Sequence, residues 1–224
     1  MQTALNADHF PSHARSTRDR LAWRIASEGP KGLSDADLLS FLLKDDEAGR
    51  KLDALGSLRC LLQADHRTAR GVGFTTARYA VAQAALELSR RHLSEHVYRQ
   101  SAVTFPYQLR EYARACMRDL PYEVFAVLWL DIRGRVIKFQ ELFRGTIDGA
   151  RVYPREVVRE AISVNAAAVI LVHNHPSGDP EPSEADRFIT NRLKQALGLI
   201  DIRVIDHLIV GDQTVGSLAE RGLL

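Results

Sequence analysis

The segment NAAAVILVHNHPSGDPEPSEAD runs from Asn165 to Asp186. Seven apolar residues, Ala166 to Val172, lead directly into His173, Asn174 and His175. A short continuous apolar run of this kind reads as a strand buried on both faces. Strand side chains repeat every two residues, so His173 and His175 project to the same side at the strand's end. Two imidazoles on one side make half of a zinc site. Pro176, Ser177, Gly178, Asp179, Pro180 and Pro182 cannot continue the strand, so the chain turns back. Ser183 then reads as a helix N-cap, with Asp186 at the third helical position. The folded-back helix brings Asp186 beside the histidines. A His, His, Asp set leaves a fourth position open, as a catalytic rather than a closed structural zinc site does. Each half also has a plainer reading. Two histidines spaced this way are common on surfaces, and Ser183 with Asp186 is an ordinary capping box.

Outward from this segment, the C-terminal half alternates strands and helices. EVFAVLWLD and RVIKFQELFRG read as strands joined by a turn at Arg133-Gly134. FPYQLREYARACMRDL and YPREVVREAISVN read as helices, the second with Pro154 in its first turn and Asn165 near its C-terminal cap. A helix from Ser183 to Leu197 and a strand from Ile202 to Val210 follow. This pattern predicts a mixed α/β sheet with helices packed against it. From Arg15 to Arg91 the apolar spacing is helical throughout, with Ser34 and Thr75 or Thr76 as caps. The expected organisation is a flexible tail at 1–14, a helical domain at 15–91, a linker at 92–101 and a metal-binding α/β domain at 102–224. The linker reading rests on the polar stretch HLSEHVYRQSAV.

Composition narrows the function classes. The longest apolar runs are about seven residues, far short of the roughly 20 a membrane span needs. MQTALNADHFPSHARS has no apolar core of a secretory signal. Two cysteines, Cys60 and Cys116, make no disulfide framework, which suits a reducing cytoplasm. The net charge is +2, with 25 arginines and 5 lysines. That balance is too weak for a dedicated nucleic-acid binder.

His173, His175, Ser183 and Asp186 fit the H-x-H-x7-S-x-x-D signature of the JAMM (MPN-domain) metalloproteases. RVYPREVVREA, NAAAVILVHNHPSGDPEPSEAD and DHLIV, with the helical N-terminal half, further resemble the bacterial RadC family from about Arg18 onward. The resemblance implies an MPN/JAMM α/β fold after a small helix-hairpin-helix-like domain. It implies Zn²⁺ on His173, His175 and Asp186, Ser183 as a helper for the oxyanion, and an upstream glutamate as general acid and base. Glu123, heading the first strand, fits that place, with Glu141 and Glu156 as rivals. The implied substrate is a peptide or isopeptide of unknown identity.

Two further features stay open on sequence. His207, in VIDHLIVG, is either a satisfied core histidine or a residue supporting the metal ligands from behind. GVGFTTA, Gly71 to Ala77, resembles the hairpin of a helix-hairpin-helix module, whose backbone N–H groups contact DNA phosphate. The plainer reading is a tight turn needing glycine. Weak DNA binding through Gly71 and Gly73 belongs to the alternative function, a DNA-associated protein with a non-catalytic metal domain.

Overall fold

The computed structural model describes residues 16–99, 106–145 and 151–224. The chain divides into two compact units, Met1–Leu86 and Glu87–Leu224. The expected tail at 1–14 lies outside the described residues.

The first unit is helical: α1 (Thr17–Glu28), α2 (Asp35–Leu43), α3 (Ala48–Leu55), α4 (Leu58–Gln63), α5 (His66–Gly71) and the start of α6 (Thr76–Arg99). Ser16, Ser34, Ser57 and Asp65 cap α1, α2, α4 and α5, each side chain accepting a backbone N–H of the first turn. Leu39, Leu43, Leu52, Leu61, Phe74 and Ala82 form the core of this unit. Beneath the α5–α6 turn lies a buried ion pair, Lys51 Nζ to Asp45 Oδ2 at 2.7 Å. Arg78 also reaches Asp45, at 3.2 Å, and donates to the carbonyls of Leu43 and Lys44.

Residues 92–99, within the stretch read as an interdomain linker, form the last turns of α6. Their polar composition hides two apolar residues at helical spacing, Leu93 and Val97, which pack into the core of the second unit. Residues 100 and 101 lie outside the described residues.

The second unit is built on a five-stranded sheet of order β2-β1-β3-β4-β5. Its elements are α7 (Pro106–Met117), β1 (Val124–Leu130), β2 (Val136–Arg144), α8 (Pro154–Ser163), β3 (Ala168–Asn174), α9 (Glu184–Gly198), β4 (Arg203–Val210) and β5 (Val215–Ser217). β3 and β4 are parallel; the other pairs are antiparallel. Every residue of β1 and β3 is buried, because these central strands are covered on both faces. Val124, Ala126, Leu128, Ile170 and Val172 face Leu109, Ala113 and Met117 of α7. Phe125, Val127, Trp129, Val169 and Leu171 face Val157 and Ala161 of α8 and Leu193 and Leu197 of α9. Full burial of each such aliphatic side chain stabilises the fold by about 1.5–3 kcal/mol. Trp129 is buried with its polar atom satisfied, since Nε1–H donates to Gln140 Oε1 at 3.0 Å. Among the described residues, no helix is long and apolar enough to cross a membrane.

Candidate metal centre

His173 lies in the last turn of the β3 pleat, on the face occupied by Phe125, with which its ring stacks. His175 sits one residue past the strand, its backbone N–H donating to the Val210 carbonyl at 3.0 Å. The loop after it is seated on the β4–β5 hairpin. A Cβ on Gly211 would come 2.6 Å from the Gly178 carbonyl oxygen, and one on Gly216 would collide with the Pro180 carbonyl. Glycine at these two positions therefore admits the loop. Asp212 N–H donates to the Gly178 carbonyl at 2.8 Å. The loop then delivers Ser183 as the N-cap of α9.

Ser183 and Asp186 form the anticipated capping box, and the same carboxylate faces the histidines. Asp186 Oδ2 accepts the Ser183 N–H at 2.7 Å and the Ser183 hydroxyl at 2.6 Å. Oδ1 is left toward His173 Nε2, at 3.0 Å. His175 Nε2 lies 2.9 Å from His173 Nε2 and 3.5 Å from Asp186 Oδ2. Three ligand atoms at about 2.0–2.1 Å from a tetrahedral zinc stand roughly 3.3 Å from one another. The observed separations bracket that value, so the donor set fits the ion. Among the described residues, this is the cluster of histidine and carboxylate groups able to hold a metal.

The electrostatics follow from the crowding. Burial works to raise the Asp186 pKa, but the close His173 and His175 imidazoles and the Ser183 contact outweigh it and hold the carboxyl well below its usual range. The Asp186 carboxylate raises the His175 pKa against the opposing effect of burial, with smaller contributions from the Asp179 carbonyl and the Glu123 charge. His207 is completely enclosed, and that burial, with the neighbouring His173, pushes its pKa well below the ordinary value. Burial thus favours the neutral form of its imidazole.

The three candidate glutamates lie in different surroundings. Glu123 immediately precedes β1 and, with His175, lines an open cleft of about 820 Å³ shared with Pro121, Tyr122, Gly145, Pro176 and Ser177. Glu141 pairs in register with Ala126, whose side chain packs on the α7 face, and Glu141 is ion-paired to Arg144 at 3.1 Å. Glu156, in the first turn of α8, is paired to Arg159 at 2.5 Å. Ser183 does not line the cleft; its hydroxyl is engaged by Asp186.

Sequence reasoning missed Asn174, which reads as a spacer between two histidines. It is buried, accepts the Val124 N–H at 2.8 Å and donates to the Tyr122 carbonyl at 3.0 Å. It thus grips the residues on either side of Glu123. The internal polar positions of a strand-end motif carry the only hint of this, since a buried amide must find partners.

Gly71 and Gly73 fall in the α5–α6 turn. Gly73 has φ +100°, a conformation that favours glycine. Its N–H donates to the Arg70 carbonyl at 3.0 Å, and Phe74 N–H closes on Ala69 at 3.1 Å. This is helix C-terminal closure. The Gly73 amide proposed for phosphate is thus used within the turn, and Lys51 and Arg78 nearby are both bound to Asp45.

A helix-flanked mixed sheet with His, His and Asp gathered at the end of its central strand defines a domain of the JAB/MPN type. The chain belongs to the RadC family: residues 103–223 match the domain described as RadC-like JAB domain. Similar proteins include UPF0758 protein Tgr7_0100 of Thioalkalivibrio sulfidiphilus, 55% identical over 90% of this chain and 94% of the relative. UPF0758 proteins of Halorhodospira halophila and Nitrosococcus oceani are 52% and 50% identical, covering 90% and 96% of this chain and 94% and 98% of their own lengths.

Proposed function

We propose that the protein is a zinc-dependent hydrolase of amide bonds, a metallopeptidase of the JAMM type acting on a peptide or isopeptide. The observation that carries this reading is the convergence of His173 Nε2, His175 Nε2 and Asp186 at zinc-like spacing beside a cleft that also holds Glu123. Bound zinc supplies Lewis acidity, lowering the pKa of a water from about 16 to about 7. The chain supplies the rest. Glu123, at the rim of the cleft, takes a proton from the attacking water and returns it to the leaving amine. Pro121, Tyr122 and Pro176 give the cleft an apolar wall against which an extended peptide can lie. Ser183 keeps Asp186 aimed, and serves as an oxyanion donor once its hydroxyl turns from Oδ2.

The test is an unbiased search for cleavage. Zinc-loaded full-length protein is incubated with a peptide library and with isopeptide-linked conjugates, and products are read by mass spectrometry. Cleavage by the wild type that is lost in Glu123→Gln supports the reading. Products formed equally by both proteins would count against Glu123, and no product from any amide would count against the hydrolase.

A further inference from the structure

The two ligand histidines are held from behind by different kinds of partner. His175 Nδ1 meets the Asp179 carbonyl at 2.7 Å. A carbonyl only accepts, so Nδ1 carries a proton, and in the neutral ring Nε2 is the nitrogen left free for a metal. His173 Nδ1 instead meets His207 Nε2 at 2.9 Å. An imidazole can donate or accept, so this contact alone leaves the His173 tautomer undetermined.

The next two links decide it. His207 Nδ1 meets Thr190 Oγ1 at 2.6 Å, and Thr190 Oγ1 donates to the Asp186 carbonyl at 2.5 Å, one helical turn back. His173, His207 and Thr190 are each at most 1% exposed, so these atoms find their partners within the chain. The hydroxyl has a single proton. Given to Asp186, it leaves only lone pairs toward His207. His207 Nδ1 then donates, His207 Nε2 accepts, His173 Nδ1 donates, and His173 Nε2 is bare. In the opposite polarity Thr190 donates to His207, and the proton ends on His173 Nε2, facing Asp186 Oδ1. The two arrangements hold the same number of protons, and only the first admits a metal.

We infer that Thr190 and His207 are positioning residues that fix the polarity of this chain and so hold His173 Nε2 as an unprotonated metal ligand. α9 thereby does two things: Asp186 in its first turn is a ligand, and Thr190 one turn later sets the tautomer of another. The inference rests on the metal reading above.

Two measurements on the full-length, zinc-loaded protein test it. Long-range proton–nitrogen correlation of the histidine rings reads the tautomers without any variant. The expected signature is protonated Nδ1 and bare Nε2 at His207, with protonated Nδ1 at His173. Protonated Nε2 at His207 overturns the inference. Zinc affinity is then measured by competition with a chromophoric chelator. His207→Leu leaves the His173 Nδ1–H without an acceptor and weakens zinc by roughly 10–100-fold. His207→Gln, whose carbonyl can accept that proton, recovers most of the loss. Thr190→Val removes the hydroxyl with little change of volume, weakens zinc in the same direction, and stands in if His207→Leu does not fold. Unchanged affinity in folded Thr190→Val, or His207→Gln no better than His207→Leu, overturns the inference. Wild type that takes up no zinc overturns the metal reading itself, whereas wild type that binds while the variants bind equally overturns this inference alone.

Discussion

Asn174 Oδ1 accepts the Val124 N–H at 2.8 Å, so the residue between His173 and His175 holds the strand that Glu123 precedes. Its Nδ2 closes on the Tyr122 carbonyl. Three consecutive residues, His173 to His175, therefore place the two histidines of the candidate metal centre and brace the backbone on either side of Glu123.

Asn174→Leu should orphan the buried Val124 N–H, at a cost of about 1–3 kcal/mol, and release the half-buried Tyr122 carbonyl. A lower urea midpoint with an unchanged slope is the expected result. Zinc should still bind, because Asn174 is not a ligand. Stability equal to wild type would show that the amide's contacts do not constrain this strand.

Glu123→Gln, Ser183→Ala and Asp186→Asn should separate cleanly. Glu123→Gln keeps zinc and lowers turnover of a cleavable amide by roughly 10²–10⁴-fold. Ser183→Ala keeps zinc, lowers turnover by roughly 10²–10³-fold as one lost oxyanion donor, and lowers stability by about 1 kcal/mol through the lost cap. Asp186→Asn loses both a ligand charge and half of the capping box, so zinc affinity and stability fall together. Zinc retained at full affinity in Asp186→Asn would remove that residue from the ligand set.

Asp45→Asn should leave the buried Lys51 ammonium with only the exposed Glu47 carboxylate, 3.8 Å away, and destabilise the helical unit by up to about 3–5 kcal/mol. The pH dependence has a definite sign. Burial works to raise the Asp45 pKa, but the hydrogen bond and charge of Lys51, with Arg78, bring it below its usual value. A depressed carboxyl contributes stability that is present above the unfolded value of about 3.9 and lost as pH falls through the folded one. Thermal unfolding of the wild type should therefore move to lower temperature on acidification below about pH 3.9, and Asp45→Asn should show less of that dependence. Identical pH profiles would contradict it.

What could be read in advance follows from periodicity. β1 and β3 are covered on both faces, and they stand out as the unbroken runs VFAVLWL and AAAVILV. His173, His175, Ser183 and Asp186 lie within fourteen residues, so a strand period and a helix cap suffice to bring them together. Contacts that close over long separations were less legible: His207 stood between two readings, and nothing singled out Thr190. His207 and Thr190 meet His173 and Asp186 only because β3 and β4 pair in parallel with α9 crossing between them. β5 is three residues with a central glycine and carries no strand pattern. Gly211 and Gly216 matter for the loop that packs on them, which no local rule anticipates. At residues 92–99 composition did not show the helix, because a charged helix surface and a polar linker look alike when the apolar side is only Leu93 and Val97.

The measurement that tests the central claim most directly is zinc per chain in purified full-length protein, determined by mass spectrometry of the metal after reconstitution and removal of excess ion. The account predicts one zinc per chain in the wild type, retention in Glu123→Gln, and loss in His175→Ala. Wild type free of zinc, or His175→Ala holding as much as wild type, would contradict it.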